Sequence, residues 1–383
     1  MGSDVGILVA KASLPISPLT ALRHVHAEHG ISAARQLWEI ARLGRGRGKL
    51  PPADYYSSGV YRQSKSWPEK TYYVSDLSSY RVNRELQPAA LSTHRAMFND
   101  KMLSSFVLQA MGFPVSKTLA IYIKRPRYGD FPQITTREGL IAALSNPPDA
   151  GMFGKPIDGL QGIGAVSINR HLGAGKLQLL SGRDVDVGDL ADEILKRFPQ
   201  GYLLQERLHM HPEIARRLGE AVATLRVCTI YPESGPELLY ACLRMPAKNA
   251  LIDSGDGNGS SAVDPVSAKI LSAMRGDFPY DSPITAAENG AEALIGFEVP
   301  FYHDSINMVI SAHRAFPDHG ILGWDVVLTP QGPRFNEVNT NPGHMIWQRA
   351  ADRGFLNPEH LARLAPVRAF LAAKLAATKS KKA

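Results

Sequence analysis

The sequence predicts a mixed α/β protein with two α+β subdomains and an N-terminal helical and irregular extension. Helix-like and strand-like segments alternate from about residue 100 onward, which indicates sheets covered by helices. A hairpin pattern occupies residues 323–343, where two strand-like runs flank a turn rich in Pro and Gly. Before residue 95, helical spacing gives way to sequence with little periodicity. We therefore expect an extension over residues 1–95 and subdomains over 96–205 and 206–383.

Residues 18–43 have helical spacing. Their apolar residues recur every three or four positions: Leu19, Leu22, Val25, Leu37, Ile40 and Ala41. Gly30 interrupts the pattern, and the glycine-rich residues 44–48 predict a linker. Residues 50–95 contain many Tyr and Ser residues, and we expect irregular structure that covers the core.

The next predicted helix runs over residues 100–111 and is stopped by Gly112 and Pro114. A last helix begins after Asn357, a capping residue, with Pro358 at its first position. Strands are predicted between these helices at residues 117–123, 151–156, 165–169 and 202–205.

The composition is typical of a globular protein with two or three domains: 383 residues, 44% hydrophobic and 21% charged. No apolar run reaches the length of about 18 residues that a membrane-spanning helix needs. Two cysteines, Cys228 and Cys242, do not suggest a disulfide framework. We expect a cytoplasmic protein without membrane insertion. The net charge is +7, but aromatic residues are not interleaved with the basic ones, so nucleic-acid binding is not favoured.

The hairpin at residues 323–343 carries Asp325 on its first strand and Glu337 and Asn339 on its second. Side chains alternate between the faces of a strand, so Glu337 and Asn339 share one face, and the turn brings Asp325 beside them. Two carboxylates and an amide oxygen are hard ligands of the kind that Mg²⁺ prefers, and Mn²⁺ accepts the same donors. The hairpin therefore predicts a site for one or two divalent cations that bridge nucleotide phosphates.

A lysine and a glycine-rich turn predict phosphate binding. Lys155 ends a predicted buried strand, where an unpaired ammonium group is costly and a phosphate oxygen is a suitable partner. Gly162 and Gly164 follow in the next turn and allow backbone N–H groups to approach phosphate.

Two arginines lie on a second predicted hairpin, formed by residues 224–231 and 238–245 around Gly235. With Gly235 at the centre, Arg226 faces Arg244. Neighbouring arginines repel each other unless an anion lies between them. One explanation is a bound anion, and the other is that each arginine pairs with a surface carboxylate.

These segments resemble the ATP-grasp superfamily, and most closely its sugar-transfer-associated group. The supporting pieces are residues 51–56 with Tyr61, residues 99–101, 224–226 and 313–317, and the hairpin from Gly323 to Gly343. The resemblance covers roughly residues 50–350. It implies the ATP-grasp fold, with ATP between two α+β subdomains. It also implies an enzyme that activates a carboxylate as an acyl phosphate and passes it to an amine.

The resemblance also implies roles for individual residues. Lys101, at the start of the helix, approaches the nucleotide phosphates. Gln205, Glu206 and Leu208 belong to the linker whose backbone pairs with the adenine edge, and Glu213 is the nearest carboxylate for the ribose. The catalytic cations, which stabilise the transferring phosphoryl group, are Arg244 and Arg226. Substrate-binding residues are Asn341 and His344, just past the metal strand.

Three hypotheses for the function stay open. The first is an ATP-dependent carboxylate–amine ligase whose substrates include an amino acid, a peptide or a uronic-acid saccharide. The second is a kinase of the same fold, and the third is a nucleotide-binding accessory protein of polysaccharide assembly. The Gly-rich residues 253–260 predict a mobile loop that governs substrate choice.

Overall fold

The computed structural model describes residues 6–9, 17–159, 162–246, 258–275 and 294–380. These residues form two β-sheets with helices packed around them, and an N-terminal extension of short helices. Most of the predicted mobile loop, including residues 253–257, lies outside the described residues. Its last two residues, Gly259 and Ser260, begin a strand.

The described part of the extension contains α1 (Pro18–His29), α2 (Ala33–Arg45), α3 (Pro52–Ser57), α4 (Trp67–Thr71) and α5 (Asp76–Glu85). Helices α1 and α2 confirm the helical prediction for residues 18–43. Gly30 ends α1 with φ of 65°, a left-handed conformation that glycine adopts without steric strain. The hydroxyl groups of Ser17 and Ser32 cap the two helices by accepting hydrogen bonds from backbone N–H groups.

The expectation of irregular structure for residues 50–95 is wrong, because α3, α4 and α5 lie there. Helices of six and five residues, such as α3 and α4, are too short to leave a helical period in the sequence. Local capping starts α4 instead: Glu69 accepts hydrogen bonds from the backbone N–H and the hydroxyl of Ser66, both at 2.7 Å.

A buried ion pair holds α2 against the rest of the extension. Glu39 is 2% exposed, and its Oε2 accepts from Lys70 Nζ at 2.7 Å and from the Tyr55 hydroxyl at 2.8 Å. Its other oxygen accepts from Arg35 Nε at 3.0 Å. Both carboxylate oxygens are therefore bonded, as a buried charge requires.

The apolar spacing located α2 but did not identify its buried face. Leu37 and Ala41 are exposed, whereas Gln36 is buried and accepts a hydrogen bond from the Tyr56 hydroxyl at 2.9 Å. Gln36 shares the inward face of α2 with Leu43, so this face is partly polar, while Leu37 and Ala41 point outward.

The first sheet lies between residues 118 and 206. In chain order, its strands and the helices near it are α6 (Arg95–Asn99), α7 (Lys101–Ala110), β1 (Thr118–Tyr122), β2 (Gln133–Ile134), α8 (Arg137–Leu144), β3 (Met152–Pro156), β4 (Val166–Gly173), β5 (Lys176–Leu179), β6 (Asp184–Asp186), α9 (Val187–Arg197) and β7 (Tyr202–Glu206). The strand order is β2-β1-β7-β3-β4-β5-β6. Leu140 of α8 and Leu190 of α9 pack against Val166 in its core. The predicted helix and the four predicted strands of this region are confirmed.

The second sheet follows. Its elements are α10 (Pro212–Leu218), β8 (Thr224–Ile230), β9 (Glu237–Met245), β10 (Gly259–Val263), β11 (Ile270–Arg275), α11 (Tyr302–His313), β12 (Ile321–Thr329), β13 (Gly332–Asn339), α12 (Met345–Ala350) and α13 (Pro358–Ser380). The order of the six strands is β11-β10-β9-β8-β12-β13, and each neighbouring pair is antiparallel. The side chain of Asn357 caps α13 by accepting from the His360 N–H at 3.0 Å, as predicted.

Helix α5 joins the extension to the second sheet. Val82 of α5 and Leu86, just past its end, lie in one hydrophobic cluster with Ile321 of β12 and Leu364 of α13. The extension therefore shares a core with the second subdomain. The exact boundaries near residues 95 and 205 stay a prediction. Among the described residues, no helix has the length and apolarity needed to cross a membrane.

We predict that Glu39→Gln lowers the free energy of unfolding by about 3–5 kcal/mol, because it leaves the Lys70 ammonium buried without its counter-charge. Urea unfolding measures this loss. Arg35→Ala is the matched control: Arg35 is 44% exposed at its side chain, so its bond to Glu39 should be worth less than about 1 kcal/mol. Similar losses in the two variants would contradict the assignment of the buried pair.

Candidate nucleotide and metal site

The candidate site is centred on the antiparallel strands β12 and β13. Asp325 pairs with Glu337, and Gly323 pairs with Asn339. The Asn339 amide Nδ2 lies 3.5 Å from Oδ2 of Asp325. The predicted hairpin is confirmed, and it brings the three predicted metal ligands to one end of the two strands.

A β-bulge shapes the second strand. Asp325 pairs with Glu337, but Val326 pairs with Phe335, so Asn336 is an extra residue. The Asn336 side-chain oxygen accepts a hydrogen bond from Lys155 Nζ at 3.0 Å. The alternating sequence pattern does not reveal a bulge, and sequence reasoning missed this contact.

The two lysines that are predicted to bind phosphate lie close to β13. Lys101 Nζ lies 3.9 Å from Oε1 of Glu337 and also donates to the carbonyl of Gly159. Lys155 is 7% exposed. Burial lowers its pKa to about 8, with Glu337 acting in the opposite direction and Lys101 adding to the decrease. Two ammonium groups therefore lie near one carboxylate at the floor of the site.

Asp325 is held by two arginines. Arg226 forms a two-pronged contact, with Nε at 2.5 Å from Oδ1 and Nη2 at 2.9 Å from Oδ2. Arg244 Nη1 lies 3.3 Å from Oδ2. Burial alone raises the pKa of Asp325, but the two guanidinium groups outweigh it and lower the pKa, so the carboxylate is ionised.

The predicted pairing of Arg226 with Arg244 is wrong. In the β8–β9 ladder Arg226 pairs with Cys242, and Thr224 pairs with Arg244, because the turn is centred before Gly235 and a bulge follows Cys228. A shift of two residues keeps both arginines on one face. The anion between the two arginines is the buried carboxylate of Asp325. The sequence offered a bound anion or separate surface carboxylates, so neither explanation is complete.

The glycine-rich turn contacts the N-terminal segment. Gly162 and Gly164 have φ of 70° and 82°, and a Cβ on Gly164 would collide with the ring of Phe198. The Gly164 N–H donates to the carbonyl of Val9 at 2.9 Å, and the Val9 N–H donates to the carbonyl of Ala165 at 3.0 Å. The Gly164 amide is therefore bonded within the protein in this conformation.

A cleft opens between strands of the two sheets. Strands from both sheets supply its walls, and its lining includes Ser116, Phe153, Ser167, Leu180, Gln205, Glu206, Arg207, Leu208, Val222, Thr224, Val327 and Asn336. A smaller adjoining cleft is lined by Lys101, Lys155 and Glu337. The predicted adenine linker thus lines a cleft that adjoins the one lined by the two predicted phosphate lysines and Glu337.

Glu213 lies away from these residues. It is in the first turn of α10, and its carboxylate pairs with Arg216 and Arg217, which lower its pKa. It is not among the residues that line the two clefts. Its assignment to the ribose stays a prediction that needs a movement of this side chain.

The predicted contact of His344 with substrate is wrong, because the side chain is buried. Its ring is fully buried and stacks on Phe355 with a centroid distance of 3.6 Å. Its Nε2–H donates to Oδ1 of Asn83 at 2.9 Å, and its Nδ1 accepts from the Tyr240 hydroxyl at 2.8 Å. Burial lowers its pKa far below the usual range. His344 therefore supports the loop from below, whereas Asn341 lies exposed at the surface of that loop.

An amide of α5 and another just past its end hold the loop that follows β13, and sequence reasoning missed both. Asn83 Nδ2 donates to Oδ1 of Asn341 at 2.8 Å and to the Pro342 carbonyl at 2.9 Å. Gln87 Nε2 donates to the carbonyls of Ile321 at 2.5 Å and Thr340 at 2.6 Å. Gln87 lies two residues past the end of α5, so a helical period does not link it to Asn83.

The residues of the site fit Mg²⁺ and a nucleotide, the two groups that the hairpin and the lysines imply. Asp325, Glu337 and Asn339 supply hard oxygen donors, and Asp325 is ionised, which suits Mg²⁺. The cleft combines an apolar wall with two lysines at one end, which suits a nucleotide with its phosphates toward the metal strand.

Two sheets that enclose such a cleft define a protein of the ATP-grasp class. The chain belongs to the sugar-transfer associated ATP-grasp family, whose model matches residues 82–362. This match confirms the resemblance found in the sequence and the predicted fold class. No curated protein matches the chain.

Solved structures of ATP-grasp enzymes are similar at low sequence identity. D-alanine–D-alanine ligase from Bacillus anthracis is 12% identical with a TM-score of 0.38, over 75% of this chain and 70% of that one. The ATP-grasp ligase PsnB, solved with a precursor variant, Mg and ADP, is 13% identical with a TM-score of 0.36, over 74% and 61%. The biotin carboxylase domain of Hydrogenobacter thermophilus 2-oxoglutarate carboxylase is 13% identical with a TM-score of 0.36, over 67% and 46%.

We predict that Lys155 binds an ATP phosphate through its charged ammonium group, so that ATP binding weakens as the pH rises through about 8, the pKa of Lys155. Below that pH the lysine is charged and affinity is highest. At pH about 9 the dissociation constant should rise by up to about tenfold, the equivalent of one pKa unit. Calorimetric titration between pH 7 and pH 9.5 measures it.

The control for this pH dependence is Lys155→Arg, whose guanidinium keeps its charge across the range. Its affinity should be weaker at pH 7 but flat with pH. The same pH profile in both proteins would assign the titration to another group.

Proposed function

We propose that the protein is an ATP-dependent carboxylate–amine ligase that forms an amide through an acyl phosphate. The observation that carries this proposal is the convergence of Asp325, Glu337 and Asn339 with Arg244 and the two lysines at one end of the inter-sheet cleft. Phosphoryl transfer needs metal ligands and fixed cations where charge develops on the transferring group, and these side chains supply both kinds of group.

In this proposal the cleft orients the nucleotide. The backbone of residues 205–208 pairs with the adenine edge, and apolar side chains such as Phe153 and Val327 cover its faces. Lys101 and Lys155 bind the phosphates, whose charge also offsets the repulsion between the two ammonium groups. Gly162 lets the backbone of the glycine-rich turn approach the same phosphates.

Asp325, Glu337 and Asn339 would hold Mg²⁺, which neutralises phosphate charge when it is bound. Arg244 stabilises the phosphoryl group during transfer and the oxyanion that forms when an amine attacks the acyl phosphate. Arg226 has a different role in this proposal. Because two of its guanidinium nitrogens, Nε and Nη2, engage Asp325, it fixes the carboxylate in the orientation needed for metal binding and acts as a positioning residue.

The acceptor binds near the exposed Asn341 in this proposal, on the loop that Asn83 supports. Donor and acceptor are a small carboxylate and an amine, of which one belongs to an amino acid, a peptide or a uronic-acid saccharide. A carboxylate substrate suits the cationic end of the site, where Arg244 and Lys155 lie.

The decisive experiment is incubation of the purified chain with ATP, Mg²⁺, hydroxylamine and a library of carboxylic acids. Hydroxylamine traps an acyl phosphate, so a ligase yields ADP and a hydroxamate from the accepted acid. Formation of ADP with a stable phosphorylated hydroxyl compound would instead identify a kinase. Nucleotide binding without any turnover across the library would favour the accessory protein.

We predict that Glu337→Gln keeps the fold but abolishes turnover, because a neutral amide does not offset the charge of Mg²⁺ as a carboxylate does. Circular dichroism checks the fold, and ADP release at saturating Mg²⁺ checks turnover. Exposed Glu359→Gln is the control and should leave turnover unchanged. Near-normal turnover of Glu337→Gln would contradict the metal assignment.

Substitution of Arg244 and of Arg226 should have different effects on turnover and on stability. Arg244→Ala should lower kcat by about 10²–10³ with little change in ATP affinity, the usual result of removing a fixed transition-state donor. Arg226→Ala should lower the free energy of unfolding by about 3–5 kcal/mol as well, because it leaves Asp325 buried without its bidentate partner.

Steady-state kinetics and urea unfolding of both variants provide the test, and Arg244→Lys should recover only part of kcat, since an ammonium lacks the planar fork. If Arg244→Ala raised the KM for ATP and left kcat intact, Arg244 would be a binding residue.

A further inference from the structure

The outward face of α2 is an unusual surface of the extension. Ala34, Leu37, Trp38 and Ala41 follow the three- and four-residue spacing of one helix face, and Arg42 and Arg45 continue it. Leu37 is 57% and Trp38 is 52% exposed. We call these six residues the α2 face: Ala34, Leu37, Trp38, Ala41, Arg42 and Arg45.

The orientation of α2 is fixed by its opposite side. Glu39 is bonded to Lys70, Tyr55 and Arg35, and Gln36 donates to the carbonyl of Ile31 at 2.8 Å. Rotation of the helix to bury Leu37 and Trp38 would break the bonds of two buried polar groups. Leu37 and Trp38 therefore stay at the surface, and their exposure is not a consequence of a loosely packed helix.

The charge around the α2 face has one sign. Between residues 29 and 53 the acidic residue is Glu39, which is buried and paired. Arg35 is bonded to that carboxylate, and the other cations of this stretch are all exposed: Arg42, Arg45, Arg47 and Lys49. On the neighbouring helix α4, the Glu69 carboxylate is turned to the N–H and hydroxyl of Ser66.

Aromatic rings connect the apolar and basic parts. The rings of Trp38 and Trp67 lie 5.0 Å apart, and the Arg42 guanidinium carbon lies 5.2 Å and 5.0 Å from their centroids. Indole side chains of this kind favour the boundary between water and hydrocarbon, where the ring is partly buried and its N–H stays hydrated.

We propose that the α2 face and the basic residues after it bind the surface of an anionic phospholipid bilayer. Leu37 and Trp38 enter the boundary between headgroups and acyl chains, while Arg42, Arg45, Arg47 and Lys49 meet anionic headgroups. Neither contribution is large by itself, but an apolar insertion combined with a polybasic cluster gives stable, reversible association.

Other occupants fit the observations less well. A second copy that docked by the same face would bring two sets of arginines together, since a two-fold interface pairs like with like. A nucleic-acid strand needs successive stacking aromatics, and the α2 face presents Trp38 alone above half exposure. A bilayer meets the apolar pair and all four cations at once, and it needs no complementary groove.

The test is co-sedimentation of the full chain with vesicles of phosphatidylcholine, alone or mixed with phosphatidylserine. Binding is expected with the anionic vesicles, and it should weaken as salt concentration rises. Leu37→Ser/Trp38→Ser and, separately, Arg45→Gln/Arg47→Gln should each weaken that binding by at least about tenfold. Equal binding to neutral and anionic vesicles, or none to either, overturns the proposal.

Matched controls separate a local effect from a general one. Val266→Ser removes another apolar side chain that is 82% exposed, and Lys124→Gln/Arg125→Gln removes two exposed cations elsewhere; both should bind as the natural chain does. Thermal unfolding of each variant checks the fold, because Trp38 also contacts Trp67. Binding of an acidic protein or of DNA without vesicle binding overturns the proposal, and so does Trp38-dependent dimerisation without it.

Discussion

The position of β12 between β8 and β13 is the constraint on which the candidate site depends. Asp325 pairs with Arg226 on one side and with Glu337 on the other. A slip of one residue in either ladder would turn the carboxylate to the opposite face of the sheet. The bulge places the side-chain oxygen of Asn336 within hydrogen-bond distance of Lys155 Nζ, so a lysine of the first sheet contacts the second sheet beside Asp325 and Glu337. The buried Arg226–Asp325 pair fixes this register electrostatically, since neither charge tolerates burial without the other.

The extension is part of this arrangement and not a separate appendage. Helix α5 and the residues just past its end contribute apolar side chains to the core of the second sheet and two amides to the loop beyond Asn339. Helix α2, in contrast, buries two polar residues together with Leu43 and keeps Leu37 and Trp38 at the surface. Helix α5 therefore supports the loop next to the site, whereas α2 exposes apolar and basic side chains at the surface of the extension.

The parts that followed from the sequence are those governed by local periodicity. Alternation along β13 predicted that Glu337 and Asn339 share a face, and the Pro-Gly turn predicted that Asp325 joins them. The pairing of Arg226 with Asp325 spans 99 residues and depends on which strands become neighbours, so no local pattern contains it. The burial of His344 depends on Phe355 and Asn83 closing around it from other elements. The short helices α3 and α4 were missed because they leave no helical period in the sequence. The polar residues on the buried face of α2 were missed because a helical period does not show which side meets a core.

The contacts of Gln87 have a consequence for the order in which the chain acquires structure. Its amide bonds carbonyls that lie 234 and 253 residues further along. During synthesis from the N-terminus, Gln87 emerges long before β12 and the end of β13 exist, so its amide has no native partner for most of translation. Contacts so distant in sequence form slowly, and the surfaces that they cover are open to incorrect association until then.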